Sequence, residues 1–138
     1  MRTSVKWTDG VSFVAESGSG HKITMDGAPE SGGRNLGPRP MEVVLMGTGG
    51  CTSYDVVHIL KKGRADIISC DAEITAERAE TDPKVFTKIH FHFVVTGKNL
   101  KPEQVERAIN LSAEKYCSAS IMLAKTAVIT HDFEVREA

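Results

Sequence analysis

Apolar and polar residues alternate along the first part of the chain. Val5 and Trp7 precede an Asp9-Gly10 pair, and Val11, Phe13 and Ala15 follow it. Period-2 alternation on both sides of a turn dipeptide predicts a β-hairpin. Ser17-Gly18-Ser19-Gly20 makes the next turn, and Ile23 and Met25 alternate up to Asp26-Gly27. Ala28 to Pro40 has no apolar period, is rich in Gly and Pro and holds two arginines, Arg34 and Arg39. It reads as an exposed loop, the kind of segment that carries functional side chains on a rigid scaffold.

The period then changes. Pro40 suits the first turn of a helix, where its missing N–H costs nothing. The helix runs to about Lys62 and stops at Gly63. Its apolar residues, among them Val43, Leu45, Met46, Val56, Ile59 and Leu60, fall on every side of the cylinder, which predicts a central, buried helix. Gly47, Gly49 and Gly50 each cost about 1 kcal/mol relative to Ala inside a helix. Close approach of a second element beside Cys51 is the economical explanation.

Two strands follow. Ile67 to Arg78 places Ile68, Cys70, Ala72, Ile74 and Ala76 on one face and acidic and polar residues on the other. After a turn at Thr81-Asp82-Pro83, Val85 to Val95 places Ile89, Phe91, Phe93 and Val95 on one face, with Lys88, His90 and His92 opposite. Such sheets have one wet face. Lys101-Pro102-Glu103 opens a second helix, with Val105, Ala108, Ile109, Ser112 and Tyr116 on one stripe and Cys117 at its end. Ser118 is placed to cap a further turn or two through Leu123. A last strand, Ala127 to Val135, completes a single α+β domain over residues 1–138, with antiparallel sheets and segregated helices.

Composition narrows the function. The 138 residues are 41% hydrophobic and 25% charged, with 17 basic and 18 acidic side chains. That is ample for one hydrophobic core. A net charge of −1 with no basic block leaves no footprint for nucleic acid or an anionic membrane surface. Glu42, Asp55 and His58 lie within the apolar stretch Met41 to Leu60, which argues against a membrane span. No apolar run follows Met1, so a signal peptide is not expected. Cys51, Cys70 and Cys117 are an odd number of cysteines, which fits a reducing, cytoplasmic setting.

Cys70, on an apolar strand face, reads as a small core residue dispensable for chemistry. Cys51 lies amid glycines and Cys117 lies at a helix junction 66 residues later. His90 and His92 share a strand face but lack a third ligand, so they read as surface histidines rather than a metal site. Gly47-Thr48-Gly49-Gly50 is inside a helix with no Lys-Ser/Thr after it, so it is not a phosphate loop. Asp55 and His58, at i and i+3, are placed to bond each other. No cofactor or metal is called for.

The run Gly37-Pro38-Arg39-Pro40-Met41-Glu42-Val43-Val44-Leu45-Met46-Gly47-Thr48-Gly49-Gly50-Cys51 resembles the helix of the OsmC/Ohr family, the osmotically inducible and organic-hydroperoxide-resistance proteins. Glu114-Lys115-Tyr116-Cys117-Ser118 resembles that family's second cysteine segment. The resemblance implies an intertwined homodimer with sites at the subunit interface. It implies a thiol-dependent peroxidase for organic hydroperoxides, with Cys51 attacking peroxide and Cys117 resolving the product. It also implies a dithiol reductant, such as a lipoyl-bearing protein. A nearby arginine, Arg34 or Arg39, would stabilise the thiolate and the leaving alkoxide. The family's glutamate directly follows the helix-opening proline. Here Glu42 comes one residue later, about 100° further round the helix. Two readings of Glu42 stand: catalytic group, or helix N-terminal carboxylate. The second keeps open an alternative for the whole chain, a non-catalytic dimer of the same fold that binds a small apolar or thiol-reactive ligand.

Overall fold

The computed structural model describes all 138 residues, Met1–Ala138. They form two compact units, Met1–Met46 and Gly47–Ala138.

The first unit is a meander. Strands β1 (Thr3–Asp9), β2 (Ser12–Ser17) and β3 (Lys22–Met25) pair antiparallel in the order β1-β2-β3. The first turn forms where Asp9-Gly10 predicts it. Gly10 takes φ +53°, its N–H bonds the Asp9 carboxylate at 2.8 Å, and its carbonyl accepts from the Trp7 indole at 2.9 Å. Val11 sits in this turn rather than in the strand pattern, and is exposed.

After β3 comes the glycine- and proline-rich loop, which is exposed along most of its length but firmly tied. Asp26 is 1% exposed. Its carboxylate accepts from the backbone N–H of Gly27 at 2.7 Å and of Arg34 and Leu36 at 3.2 Å. Burial alone would raise this carboxyl. The nearby Ser12 hydroxyl and the three amides outweigh burial and hold it below 3.8. Gly33 and Gly37 have no room for a side chain, since a Cβ would strike the carbonyls of Gly27 and Thr24 respectively.

Helix α1 spans Pro40–Lys62, as the sequence predicts. Its buried residues are Thr48, Gly49, Thr52, Val56 and Leu60, a stripe at the i, i+4 spacing of one helix face. Burial all round is therefore corrected: Val44, Met46 and Tyr54 are 41%, 54% and 70% exposed. The glycines also divide. At Gly49 a Cβ would collide with the Ile74 side chain, whereas Gly47 and Gly50 face open space. The helix ends with Arg64 at φ +59°, not with a left-handed Gly63, and Ala65 N–H caps the Leu60 carbonyl at 2.9 Å. Gly63 is needed for a different reason: Gln104 packs on it and donates to its carbonyl at 3.1 Å.

In the second unit, β4 (Asp66–Arg78) pairs antiparallel with β5 (Phe86–Lys98). A register shift between Ile67 and Ser69 removes Ile68 from the apolar face and leaves it 60% exposed. Helix α2 (Pro102–Leu111), a π-helical turn (Ser112–Tyr116) and α3 (Ser118–Leu123) lead to β6 (Val128–Glu137). The sheet order is β4-β5-β6. The α+β class stands, but β6 runs parallel to β5 rather than antiparallel. A helical crossover delivers a strand in the same direction, whereas a hairpin reverses it.

The core lies under β5. Phe86, Ile89, Phe91, Phe93 and Val95 are buried together with Val56 and Leu60 of α1 and Val105, Ala108 and Ile109 of α2. Each large side chain so buried contributes about 1.5–3 kcal/mol.

The opposite face of β5 is polar. Asp132 of β6 accepts from His92 Nδ1 at 2.7 Å and meets His90 Nε2 at 3.1 Å. His90 Nδ1 is also 2.6 Å from the Thr130 hydroxyl. The His92 bond chiefly, with His90 assisting against burial, holds the Asp132 carboxyl below its ordinary 3.8. A depressed carboxyl stabilises the fold above its unfolded value, and that stabilisation is lost as pH falls through the lower folded value. Denaturant titrations should therefore show wild type losing stability below pH 3.8. Asp132→Asn should be less stable at neutral pH and flatter through the acid range. Parallel acid profiles for the two proteins would refute this role.

Candidate functional site

Cys51 lies midway along α1, half-buried. One turn later on the same face comes Asp55, and Thr52 adjoins Cys51 on the buried stripe. The sequence's second cysteine is brought to this place. Cys117 is fully buried, and the Cys51 thiol is near enough to interact with it electrostatically. Neither is in a disulfide.

The way Cys117 is delivered is the least expected feature of the chain. The second helix does not continue as an α-helix to Tyr116. It widens after Leu111 into a π-helical turn, and Cys117 N–H bonds the Ser112 carbonyl five residues back at 2.8 Å. The wider turn takes Tyr116 off the apolar stripe, where it is 50% exposed, and turns Cys117 inward. Cys117 then caps α3, a role the sequence assigns to Ser118. Its sulfur accepts the Ser120 N–H at 3.4 Å. Burial raises the Cys117 thiol above its ordinary 9.0; Ser120 opposes this and neighbouring Cys51 adds to it. Cys70 is also raised, by burial first and by Asp71 second.

A buried polar cluster joins α1 to the π-turn. The Ser112 hydroxyl, 0% exposed, donates to Asp55 Oδ2 at 2.9 Å and lies 2.9 Å from Thr52 Oγ1. Asp55 therefore bonds Ser112, not His58, whose ring stacks on Tyr54 at 5.9 Å. Ser112 and Thr52 were missed as site residues. A serine on an otherwise apolar helical stripe was the signal available. Next to this cluster is a cleft of about 560 Å³, lined by Asp55, His58, Ile59, Lys62, Arg107 and Tyr116 among others. That volume is in the range of small-molecule sites.

The remaining predicted residues belong to the first unit. Glu42 is the third residue of α1, and its carboxylate accepts the Arg39 N–H at 2.8 Å. This is the reach-back of a capping glutamate. The Arg39 guanidinium donates to Asn35 Oδ1 at 2.7 Å and to the Gly37 carbonyl at 3.2 Å. Arg34 pairs with Asp9 at 3.6 Å, both well exposed. No group of three or more His, Cys, Asp or Glu side chains is arranged to hold a metal ion.

A sheet meander, a glycine-bearing helix with a mid-helix cysteine, and a second cysteine at a helix junction together define an OsmC-like protein. Residues 32–132 match the model of the OsmC-like protein family, and the chain belongs to that family. It is 53% identical over 135 residues to Protein YhfA of Escherichia coli K12, covering 98% of both chains. A hypothetical protein from Aquifex aeolicus is 28% identical, with a TM-score of 0.87 over 99% of this chain and 96% of the other. The organic hydroperoxide resistance protein OhrB of Bacillus subtilis shares the fold at 20% identity, with a TM-score of 0.64 and coverage of 97% and 98%.

The raised thiols make a direct expectation. At neutral pH Cys70 and Cys117 are protonated, and thiols alkylate slowly. Iodoacetamide on the native reduced protein, read by peptide mass mapping, should modify Cys51 first. Labelling of Cys70 and Cys117 should accelerate only with alkali or denaturant. Equal labelling of all three at neutral pH would contradict the environments described.

Proposed function

We propose that the protein is a cytoplasmic, thiol-dependent peroxidase that reduces organic hydroperoxides, built from the whole chain as one domain. The observation that carries this reading is the meeting of Cys51 and Cys117 in one partly enclosed place. The Cys51 thiolate attacks the distal peroxide oxygen. An S–O bond forms, the O–O bond breaks, and the alkoxide leaves to take up a proton as the alcohol. The Cys117 sulfur then attacks the sulfenic sulfur. An S–S bond forms, the S–O bond breaks, and the hydroxyl leaves with the Cys117 proton as water. Two electrons have passed from two thiols to one peroxide. A dithiol, free or lipoyl-bearing, reopens the disulfide by exchange.

Apolar walls suit an organic peroxide body, and Ile59, Leu111 and Tyr116 supply them in the cleft beside Asp55. The organic hydroperoxide resistance protein of Bacillus subtilis, similar in fold, fits the same substrate class. Arg34 or Arg39, from either subunit, steadies the thiolate and the leaving oxygen, and loss of the one that serves should cost about 100-fold in turnover.

A homodimer is part of the proposal. Gly47 and Gly50 have nothing within 4 Å of where a Cβ would stand, and Met46 and Tyr54 beside them are exposed. Gly47 and Gly50, unlike Gly49, need a partner backbone to offset their cost, and a second copy of α1 provides one. In a free helix Gly50→Ala would stabilise by about 1 kcal/mol. At a dimer seam it should instead shift sedimentation toward monomer at micromolar concentration. A wild-type protein that sediments as a stable folded monomer would remove the dimer.

One observation favours the non-catalytic, ligand-binding alternative. Glu42 serves as a helix cap, and both arginines have local partners. The deciding experiment is a peroxidase assay with cumene hydroperoxide and hydrogen peroxide side by side, using a dithiol reductant. Turnover should favour the organic peroxide and vanish in Cys51→Ser. Cys117→Ser should consume one equivalent and then stall as sulfenic acid or over-oxidise. Absence of turnover with both peroxides would leave the ligand-binding reading.

A further inference from the structure

We propose that Ser112, held by Asp55 and Thr52, is the positioning residue that sets Cys117 to close on Cys51. The inference rests on the peroxidase reading and deepens its second step.

Its basis is a continuous series of bonds between the two cysteines. Thr52 and Asp55 stand one and four residues beyond Cys51 on α1, so they are fixed to the same rigid element. Ser112 bonds both through one hydroxyl, and its own carbonyl accepts the Cys117 N–H. The hydroxyl thus anchors the first residue of the π-turn, and the carbonyl anchors the residue that follows the turn. Ser112 itself is fully buried, which shields its hydroxyl and carbonyl from water.

The π-turn is what makes this anchoring consequential. A regular α-helix would pair Cys117 N–H with Ala113 four residues back, not with Ser112. That tightening moves Cys117 about one residue, or 100°, around the axis. Disulfide closure needs Cα atoms roughly 4.4–6.8 Å apart with the Cβ vectors converging, and such a rotation takes the sulfur away from Cys51. Single π-turns inside helices cost hydrogen-bond geometry and concentrate at functional positions. Here the Ser112 hydroxyl is the side-chain contact that ties the turn to α1. Peroxide attack by Cys51 precedes closure and does not pass through this series, so the two steps should separate.

The test uses the full-length reduced protein and variants Ser112→Ala, Ser112→Thr and Asp55→Ala, with folding checked by circular dichroism. A several-fold excess of cumene hydroperoxide is added, since sulfinic acid takes a second peroxide after the sulfenic acid, and intact-mass analysis follows the split between Cys51–Cys117 disulfide and Cys51 sulfinic acid. Ser112→Ala and Asp55→Ala should slow closure by about tenfold to a hundredfold, the scale of an ångström-level misplacement. Oxidised Cys51 should then accumulate as sulfinic acid, and Ser112→Thr should restore closure. A second arm oxidises the same proteins with diamide, whose N=N bond takes two electrons and two protons from the paired thiols. The same ranking should appear there without any peroxide chemistry. Disulfide closure at the wild-type rate in Ser112→Ala, in the diamide arm, overturns the positioning role. Failure of wild type to consume peroxide while the diamide ranking holds overturns the peroxidase reading instead.

Discussion

Three short side chains tie the two halves of the site together. Thr52, Asp55 and Ser112 form a largely buried cluster, with Asp55 at its half-exposed edge, in which one hydroxyl serves two partners on α1. Such a cluster is stabilising only when every member is satisfied, because an unpaired buried polar group costs about 1–3 kcal/mol. That constraint fixes the distance and rotation between α1 and the turn after α2. The widened turn begins at Ser112 and leads directly to the inward Cys117, whose sulfur caps α3.

The glycines of α1 show how packing and openness alternate along one element. Gly49 is occupied by Ile74 of β4, and Gly63, just past the helix end, by Gln104 of α2, so both are explained by partners within the second unit. Gly47 and Gly50 have no such partner. The helix therefore has one face finished by its own chain and one left unfinished.

Most element positions were legible in the sequence because they rest on strong local signals. The Asp9-Gly10 turn, the proline at the start of α1 and the alternation of β5 each act within a few residues. What could not be read depends on long-range partners. The bulge that exposes Ile68 is a register matter between β4 and β5. The parallel direction of β6 follows from the crossover, and alternation looks the same in either direction. The two cysteines stood out in the sequence by residue type and surroundings. The residue that bonds α1 to the turn before Cys117 did not, since a serine at position 112 looks like one polar break in an apolar stripe. The choice of Asp55 partner failed for the same reason: i, i+3 spacing suggested His58, but the bond goes to a residue 57 positions away.

The parallel pairing of β5 with β6 has a kinetic meaning. A hairpin can zip as soon as its turn forms, but parallel neighbours must wait until the connecting segment has wrapped across. Cys117 lies inside that segment, between α2 and α3. During synthesis Cys51 emerges well before it, and the meeting of the thiols depends on a late, non-local step of folding. The two thiols are therefore brought together by the same late event that completes the β4-β5-β6 sheet.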